Sequence, residues 1–238
     1  MGERLWYCTR QRAGPLVKEC RALRPRLSPD DSPWERREKN AILTPPRDSA
    51  VCRTAVDRLE LRLALFGFEG CCYTLTFDDE HLPDKFRDVR SAARNFWVKL
   101  QRWNDEKPYD RVSLIEGKHG DKRYHLHAVL RENQFPPALV RHLWTAGFVE
   151  DEPLLLKPVD SFRRMARYYN KESTDGIVIP VGSRPWTCSR SLVRQLEPPR
   201  KWMSTSGVIR VPKDVYASGR NQVQNEFGVY NYAWYIQN

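Results

Sequence analysis

Two periods organise the middle of the chain. Cys71-Cys72-Tyr73-Thr74-Leu75-Thr76-Phe77 is rich in β-favouring residues and bounded by Gly70 and Asp78-Asp79, which predicts a central strand. From Val89 through Ala93, Phe96, Trp97, Leu100 and Trp103 the apolar positions fall on one helical stripe, with Lys and Arg opposite, which predicts a helix covering a sheet. Arg111 to Glu116 is the next strand, Gly117 to Lys122 has the composition of a hairpin connection, and Tyr124 to Leu130 is the strand it leads to. Pro136-Pro137 opens a helix through Trp144 that Gly147 stops, and a short strand or two is expected between Phe148 and Pro158. Asp160 or Ser161 then caps a helix with Phe162, Met165, Ala166 and Tyr169 on its apolar stripe, while Arg163, Arg164, Arg167 and Lys171 make it basic.

The flanks are less regular. Residues 1–48 are rich in Arg and Pro, with Pro25, Pro29, Pro33, Pro45 and Pro46 interrupting any long element, and read as an irregular basic arm. Ser49 caps a helix carrying Val51, Val56, Leu59, Leu63 and Phe66, and Gly67 ends it. From Gly176 onward no strong period holds, although Trp186, Trp202, Phe227, Tyr230, Tyr232, Trp234 and Tyr235 supply aromatic anchors for an extension that partly wraps the core. The expected organisation is a basic N-terminal arm and helix at 1–67, a body at 68–175 and a C-terminal extension at 176–238. The order of elements in the body predicts an α+β fold, a central antiparallel sheet with helices packed on one face.

Composition narrows the partners. The 238 residues hold 40 Lys and Arg against 30 Asp and Glu, a net charge of +10, which favours a polyanion through phosphate neutralisation and counterion release. Arg94, Lys99, Arg102, Lys118, Lys122 and Arg123 are candidates to hold phosphates, with Trp or Tyr rings to stack on unpaired bases. No apolar run approaches the roughly 18 residues that span a bilayer, and Met1 to Arg12 lacks the apolar segment of a signal peptide, so no membrane partner and a cytoplasmic location are expected. The six cysteines, Cys8, Cys20, Cys52, Cys71, Cys72 and Cys188, contain no Cys-x-x-Cys spacing, which indicates neither a zinc ribbon nor a disulfide framework. Nothing resembles Gly-x-x-x-x-Gly-Lys-Ser/Thr, so strand separation would need a partner.

The candidate chemistry sits on the strand Tyr124 to Leu130. Alternation turns His125 and His127 to the same side, about 7 Å apart along the chain, so that the two imidazoles can share one cation. An antiparallel pairing brings Glu116 near the start of this strand, while Asp78, Asp79, Glu80 or His81 could supply a third ligand instead. About forty residues on, Tyr168-Tyr169-Asn170-Lys171 lies on the basic helix. Tyr169 falls on the apolar stripe, whereas Tyr168 flanks it three residues before Lys171.

With these motifs in order, the chain resembles the HUH endonuclease superfamily, and within it the single-tyrosine initiators of rolling-circle replication in small phages and plasmids. Thr74-Leu75-Thr76-Phe77-Asp78-Asp79-Glu80-His81-Leu82-Pro83 is similar to the family's first strand motif, His125-Leu126-His127 to its paired-histidine motif, and Tyr168-Tyr169-Asn170-Lys171 to its Tyr-x-x-Lys motif. The likeness covers about residues 70 to 175. It implies a metal site of His125, His127 and Glu116 holding Mg²⁺ or Mn²⁺, with Glu116 preferred because such families take a ligand from the strand before the histidines. It implies Tyr168 as nucleophile, aided by Lys171, and a reaction that nicks single-stranded origin DNA and leaves a 5′-phosphotyrosine and a free 3′-hydroxyl. A host helicase and polymerase would be partners. The absence of a second tyrosine one helical turn from Tyr168 disfavours a two-tyrosine mechanism. A transposase or relaxase on the same chemical plan, and a non-catalytic nucleic-acid-binding protein, are the competing readings.

Overall fold

The computed structural model of the chain describes residues 5–23, 32–33, 47–117, 123–155, 161–171, 186–225 and 228–238. The fold is mixed α+β, with two five-stranded antiparallel sheets and several helices. The chain divides into two compact units, Arg58–Leu196 and a second made of Met1–Asp57 with Glu197–Asn238.

The larger unit is built on β3 (Gly70–Phe77), β4 (Val112–Glu116), β5 (His125–Arg131), β6 (Gly147–Pro153) and β7 (Trp186–Cys188), in the order β6-β3-β5-β4-β7. One face carries Cys71, Tyr73, Leu75, Phe77, Leu126, Ala128 and Leu130, all buried. Onto it pack α2 (Phe86–Trp103), through Val89, Ala93, Phe96 and Leu100, and α3 (Pro137–Leu143), through Leu139 and Val140. Burying each of the larger of these side chains contributes about 1.5–3 kcal/mol. Tyr73, fully buried, donates its hydroxyl to the carbonyl of Phe135 at 2.6 Å, so the one polar atom it takes into the core is satisfied.

The opposite face is covered too, which departs from the one-sided arrangement expected. Helix α4 (Phe162–Lys171) buries Phe162, Ala166 and Tyr169, and Tyr169 bonds the side chain of Cys72, which lies on this second face. The reason is visible in β3 and β5: Cys72 and Val129 stand opposite one another and are buried, so the second face has apolar surface of its own. Helix α1 (Arg47–Ala64) ends within this unit with Leu59 and Leu63 fully buried, and Glu60, also buried, accepts from Arg163 of α4 at 3.0 Å.

The smaller unit corrects the expectation of an irregular arm. Strand β1 (Trp6–Ala13) pairs with β2 (Leu16–Leu23) across a two-residue turn in which Gly14 takes φ +52. The C-terminal segment, expected as a wrap around the body, supplies β8 (Arg200–Ser204), β9 (Ala217–Asn225) and β10 (Gly228–Ile236), giving the order β8-β1-β2-β10-β9. The division therefore falls at 57/58 and 196/197 instead of 67/68 and 175/176, because β2 and β10 join the two ends of the chain in one sheet. Two early arginines are structural: Glu19, 3% exposed, accepts from Arg10 at 2.6 Å and Arg21 at 2.8 Å. Among the described residues no helix is long and apolar enough to cross a membrane.

Candidate functional site

Strand β5 is central, with β3 on one side and β4 on the other, and the register sets the neighbours of each histidine. Thr74 stands opposite His127 and Thr76 opposite His125 on β3, while Leu114 and Glu116 take the same positions on β4. Since directly opposed residues share a face, Thr74, Thr76, His125, His127 and Glu116 all project from the side that α4 covers in part.

The hydrogen bonds are ordered. Thr74 Oγ1 lies 3.1 Å from His127 Nδ1, and Thr76 Oγ1 lies 3.2 Å from His125 Nδ1. Each threonine hydroxyl thus fixes one imidazole at the same ring nitrogen. This is the kind of outer partner that sets ring orientation at a metal or proton-transfer site. Sequence reasoning placed both threonines in a motif but gave them no task. Their signal was the spacing Thr-x-Thr on a strand, which matches His-x-His residue for residue.

Glu116 and His127 are both buried, and Glu116 Oε2 approaches His127 Nε2 to 2.6 Å. The carboxylate therefore reaches diagonally past the directly opposed His125 to the inner histidine. Three of the four alternative ligands, Asp78, Asp79 and His81, are engaged beyond the end of β3. Asp78 accepts from His81, both from its ring nitrogen Nδ1 at 2.7 Å and from its backbone N–H at 2.9 Å, and Asp79 pairs with Arg123 at 2.5 Å. The hydrogen bond from His81 holds the Asp78 carboxyl below the usual carboxylate range.

Tyr168 and Tyr169 separate sharply. Tyr169 is 2% exposed, and burial together with its bond to Cys72 raises its phenol well above the usual value. Tyr168 is 52% exposed, with its ring centroid 6.5 Å from that of His127 and nearly perpendicular to it. Its phenol is raised too, by partial burial first and then by the charges of Glu116 and Glu152. A cleft of about 400 Å³ opens here, lined by Thr74, His127, Glu152, Arg164, Tyr168 and Tyr169 among others. Lys171 closes α4, three residues after Tyr168, and its side chain lies outside the described residues, as do Lys118, His119 and Lys122. One further residue was missed: Phe148, 70% exposed, stands opposite Thr76 on the histidine face. It follows Gly147, whose φ of +147 and close approach to the Thr76 carbonyl leave no room for a Cβ.

Two imidazole nitrogens and one carboxylate suit a small divalent cation in donor chemistry. Neighbouring ligands on bonds of about 2.1 Å are roughly 3.0 Å apart, close to the Glu116–His127 contact. Two imidazoles ligating side by side would bring their ring centroids to roughly 4.6 Å, whereas His125 and His127 are 6.4 Å apart. Joint ligation therefore requires the rings to turn inward. Accordingly, no group of three or more His, Cys, Asp or Glu residues is arranged to hold a metal ion among the described residues.

Comparison with known proteins adds no relative: no family model, no curated protein and no solved structure matches the chain.

Proposed function

We propose that the chain is a DNA-nicking and rejoining enzyme that uses Tyr168 as nucleophile on single-stranded origin DNA, in the manner of the single-tyrosine HUH replication initiators it resembles. The observation that carries the reading is the juxtaposition, on one face of a central strand, of two histidines each bonded to a threonine, a carboxylate against the inner histidine, and a half-exposed tyrosine across a cleft from it.

In this reading the strand lies in the cleft with its scissile phosphate near Tyr168. The Tyr168 oxygen attacks phosphorus in line as its proton is lost, the Oη–P bond forms, and the bond from phosphorus to the 3′ oxygen breaks. The 3′ oxygen takes up a proton and the 5′ phosphate stays on the tyrosine. The covalent bond conserves the phosphodiester, so the reverse attack by a 3′-hydroxyl rejoins the strand. His125, His127 and Glu116 would hold Mg²⁺ or Mn²⁺, which when bound supplies polarisation of the phosphate. Thr74 and Thr76 hold the two imidazoles at Nδ1, which would leave Nε2 of each as the ligating atom once the rings turn inward. Arg164, which lines the cleft, supplies positive charge where negative charge grows on the phosphate. Phe148 offers a flat apolar surface on which an unpaired base can stack, an interaction typically worth about 1–3 kcal/mol.

The test is incubation of the protein with end-labelled single-stranded DNA from its own replicating element, with Mn²⁺ or with EDTA, followed by a denaturing gel and mass mapping. A metal-dependent adduct on Tyr168, lost in Tyr168→Phe and in His125→Ala, is expected. An adduct on Tyr169 would overturn the nucleophile assignment. DNA binding without cleavage would favour a second reading, a non-catalytic nucleic-acid-binding protein, to which the direct Glu116–His127 hydrogen bond already lends support. Replication of an origin plasmid, against excision or transfer of an element, separates an initiator from a transposase or relaxase.

A further inference from the structure

A second cleft, of about 650 Å³, lies in the larger unit between α2, the start of β4 and the segment after β7. Arg94, Trp97, Tyr109, Arg111, Ser189 and Arg190 define it, and no carboxylate lines it. Arg111 is the central group. Its guanidinium stacks over the Trp97 ring at 4.2 Å and donates through Nη1 to the Tyr109 hydroxyl at 3.3 Å. Its Nε is buried and has no hydrogen-bond partner among the described residues. Burial works against the charge, and no carboxylate offsets that cost. Arginine keeps its proton under such conditions, and buried charges are otherwise paired. Arg94 and Arg190 are both exposed at the same cleft, and neither pairs with an acid among the described residues. Three guanidinium groups meet at one volume that no carboxylate lines, and the fork of arginine matches the oxygens of phosphate.

We propose that this cleft is a phosphate-binding site that grips the backbone of a nucleic-acid strand. Arg111 precedes the first residue of β4 and Glu116 is its last, about 17 Å apart along that strand, and their odd spacing turns them to opposite faces of the sheet. A bound strand anchored there would reach the histidine face by passing over the β7 edge of the sheet. The inference rests on the nucleic-acid partner in the reading above and not on its tyrosine chemistry. The net charge of +10 supports a polyanion over an isolated anion.

The experiment is fluorescence anisotropy of a labelled single-stranded oligonucleotide against salt concentration, without divalent metal, in the full chain carrying Tyr168→Phe. Failure of the nicking reaction thus leaves this result standing. Adding Arg94→Ala with Arg190→Ala, both at exposed positions, should lower the slope of log affinity against log salt by about 1.4, at about 0.7 per phosphate contact, or about 25-fold in affinity at 0.1 M salt by that term. Arg210→Ala with Lys213→Ala, an equal loss of exposed charge elsewhere, should change the slope by much less. An unchanged slope in the first pair, or equal changes in both, would overturn the proposal. Inorganic phosphate, titrated in a thermal melt, separates the sources. Stabilisation by phosphate that the first pair abolishes, with the oligonucleotide slope untouched, would mean a site for a free anion and would overturn the strand assignment.

Discussion

The two sheets are alike in size and pairing and opposite in how they treat polar groups. In the sheet β8-β1-β2-β10-β9 the buried carboxylate of Glu19 is closed off between Arg10 and Arg21, two permanent charges. In the sheet β6-β3-β5-β4-β7 the buried carboxylate of Glu116 meets the His127 imidazole beside a cleft and a half-exposed tyrosine. In the first arrangement the buried carboxylate is satisfied internally. The second stands at a cleft that a ligand can enter. Basic residues therefore do two jobs in this chain, and net charge alone does not separate them. If the contrast is sound, substitutions in the first sheet should register in stability and those in the second in activity.

The largest effect expected is at Tyr168. Tyr168→Phe should lower adduct formation by about three orders of magnitude or more, while unfolding free energy stays within about 0.5 kcal/mol because the lost hydroxyl belongs to a half-exposed residue. Tyr169→Phe should do the reverse, keeping the adduct and costing about 1 kcal/mol through loss of the bond to Cys72. Single-turnover gels and urea melts on the same samples would measure both. An inverted result would exchange the roles of the two tyrosines.

Next comes the closed network. Glu19→Ala should destabilise by about 2 kcal/mol, less than the usual cost of breaking a buried ion pair because Arg10 is half in water and can be solvated. Adduct formation at a temperature where both proteins are folded should not change. Unfolding should be followed with more than one probe, since two compact units need not unfold together. Loss of cleavage with folding intact would show that the first sheet takes part in the reaction.

The polar groups that aim the histidines should give a smaller, mixed response. Thr74→Val and Thr76→Val each remove the hydroxyl that orients one imidazole, and outer partners of this kind are typically worth about 10–100-fold in metal affinity or activity. Metal-dependence curves for adduct formation should shift to higher Mn²⁺, with recovery at saturation. A fall in activity that excess metal does not restore would mean that the threonines act on the fold and not on the rings.

The sequence made one of these sheets legible and concealed the other. Strands β3, β4 and β5 and helices α2 to α4 follow local periods, so His125 and His127 on one face, and Tyr169 inside with Tyr168 outside, could be read directly. Glu116 could be placed near the histidines by pairing, but its reach to His127 past His125 depends on side-chain rotation, which no spacing encodes. The hairpin of β1 and β2 was hidden because its arginines mimic a flexible arm until Glu19 is seen between them. Pairing of β2 with β10 joins residues about two hundred positions apart, and no local pattern announces a partner at that distance.

The smallest effect expected tests whether Glu152 belongs electrically to the open site. Partial burial is the main cause of the raised Tyr168 phenol, and the charges of Glu116 and Glu152 add to it. A raised phenol means that the attacking phenolate forms only at higher pH, so single-turnover nicking with Mg²⁺ should rise with pH and level off above the pKa of Tyr168. Glu152→Gln removes one of the two charges that hold the proton on. The rising limb should therefore move to lower pH, while burial keeps it above that of a free tyrosine. The move should be modest, because Glu152 is exposed and water screens its charge. Faster nicking in Glu152→Gln below the plateau, with the same plateau, is the expected result. A limb that stays in place would mean that some other group sets the proton-loss step, and one that moves to higher pH would mean that Glu152 itself helps to remove the proton.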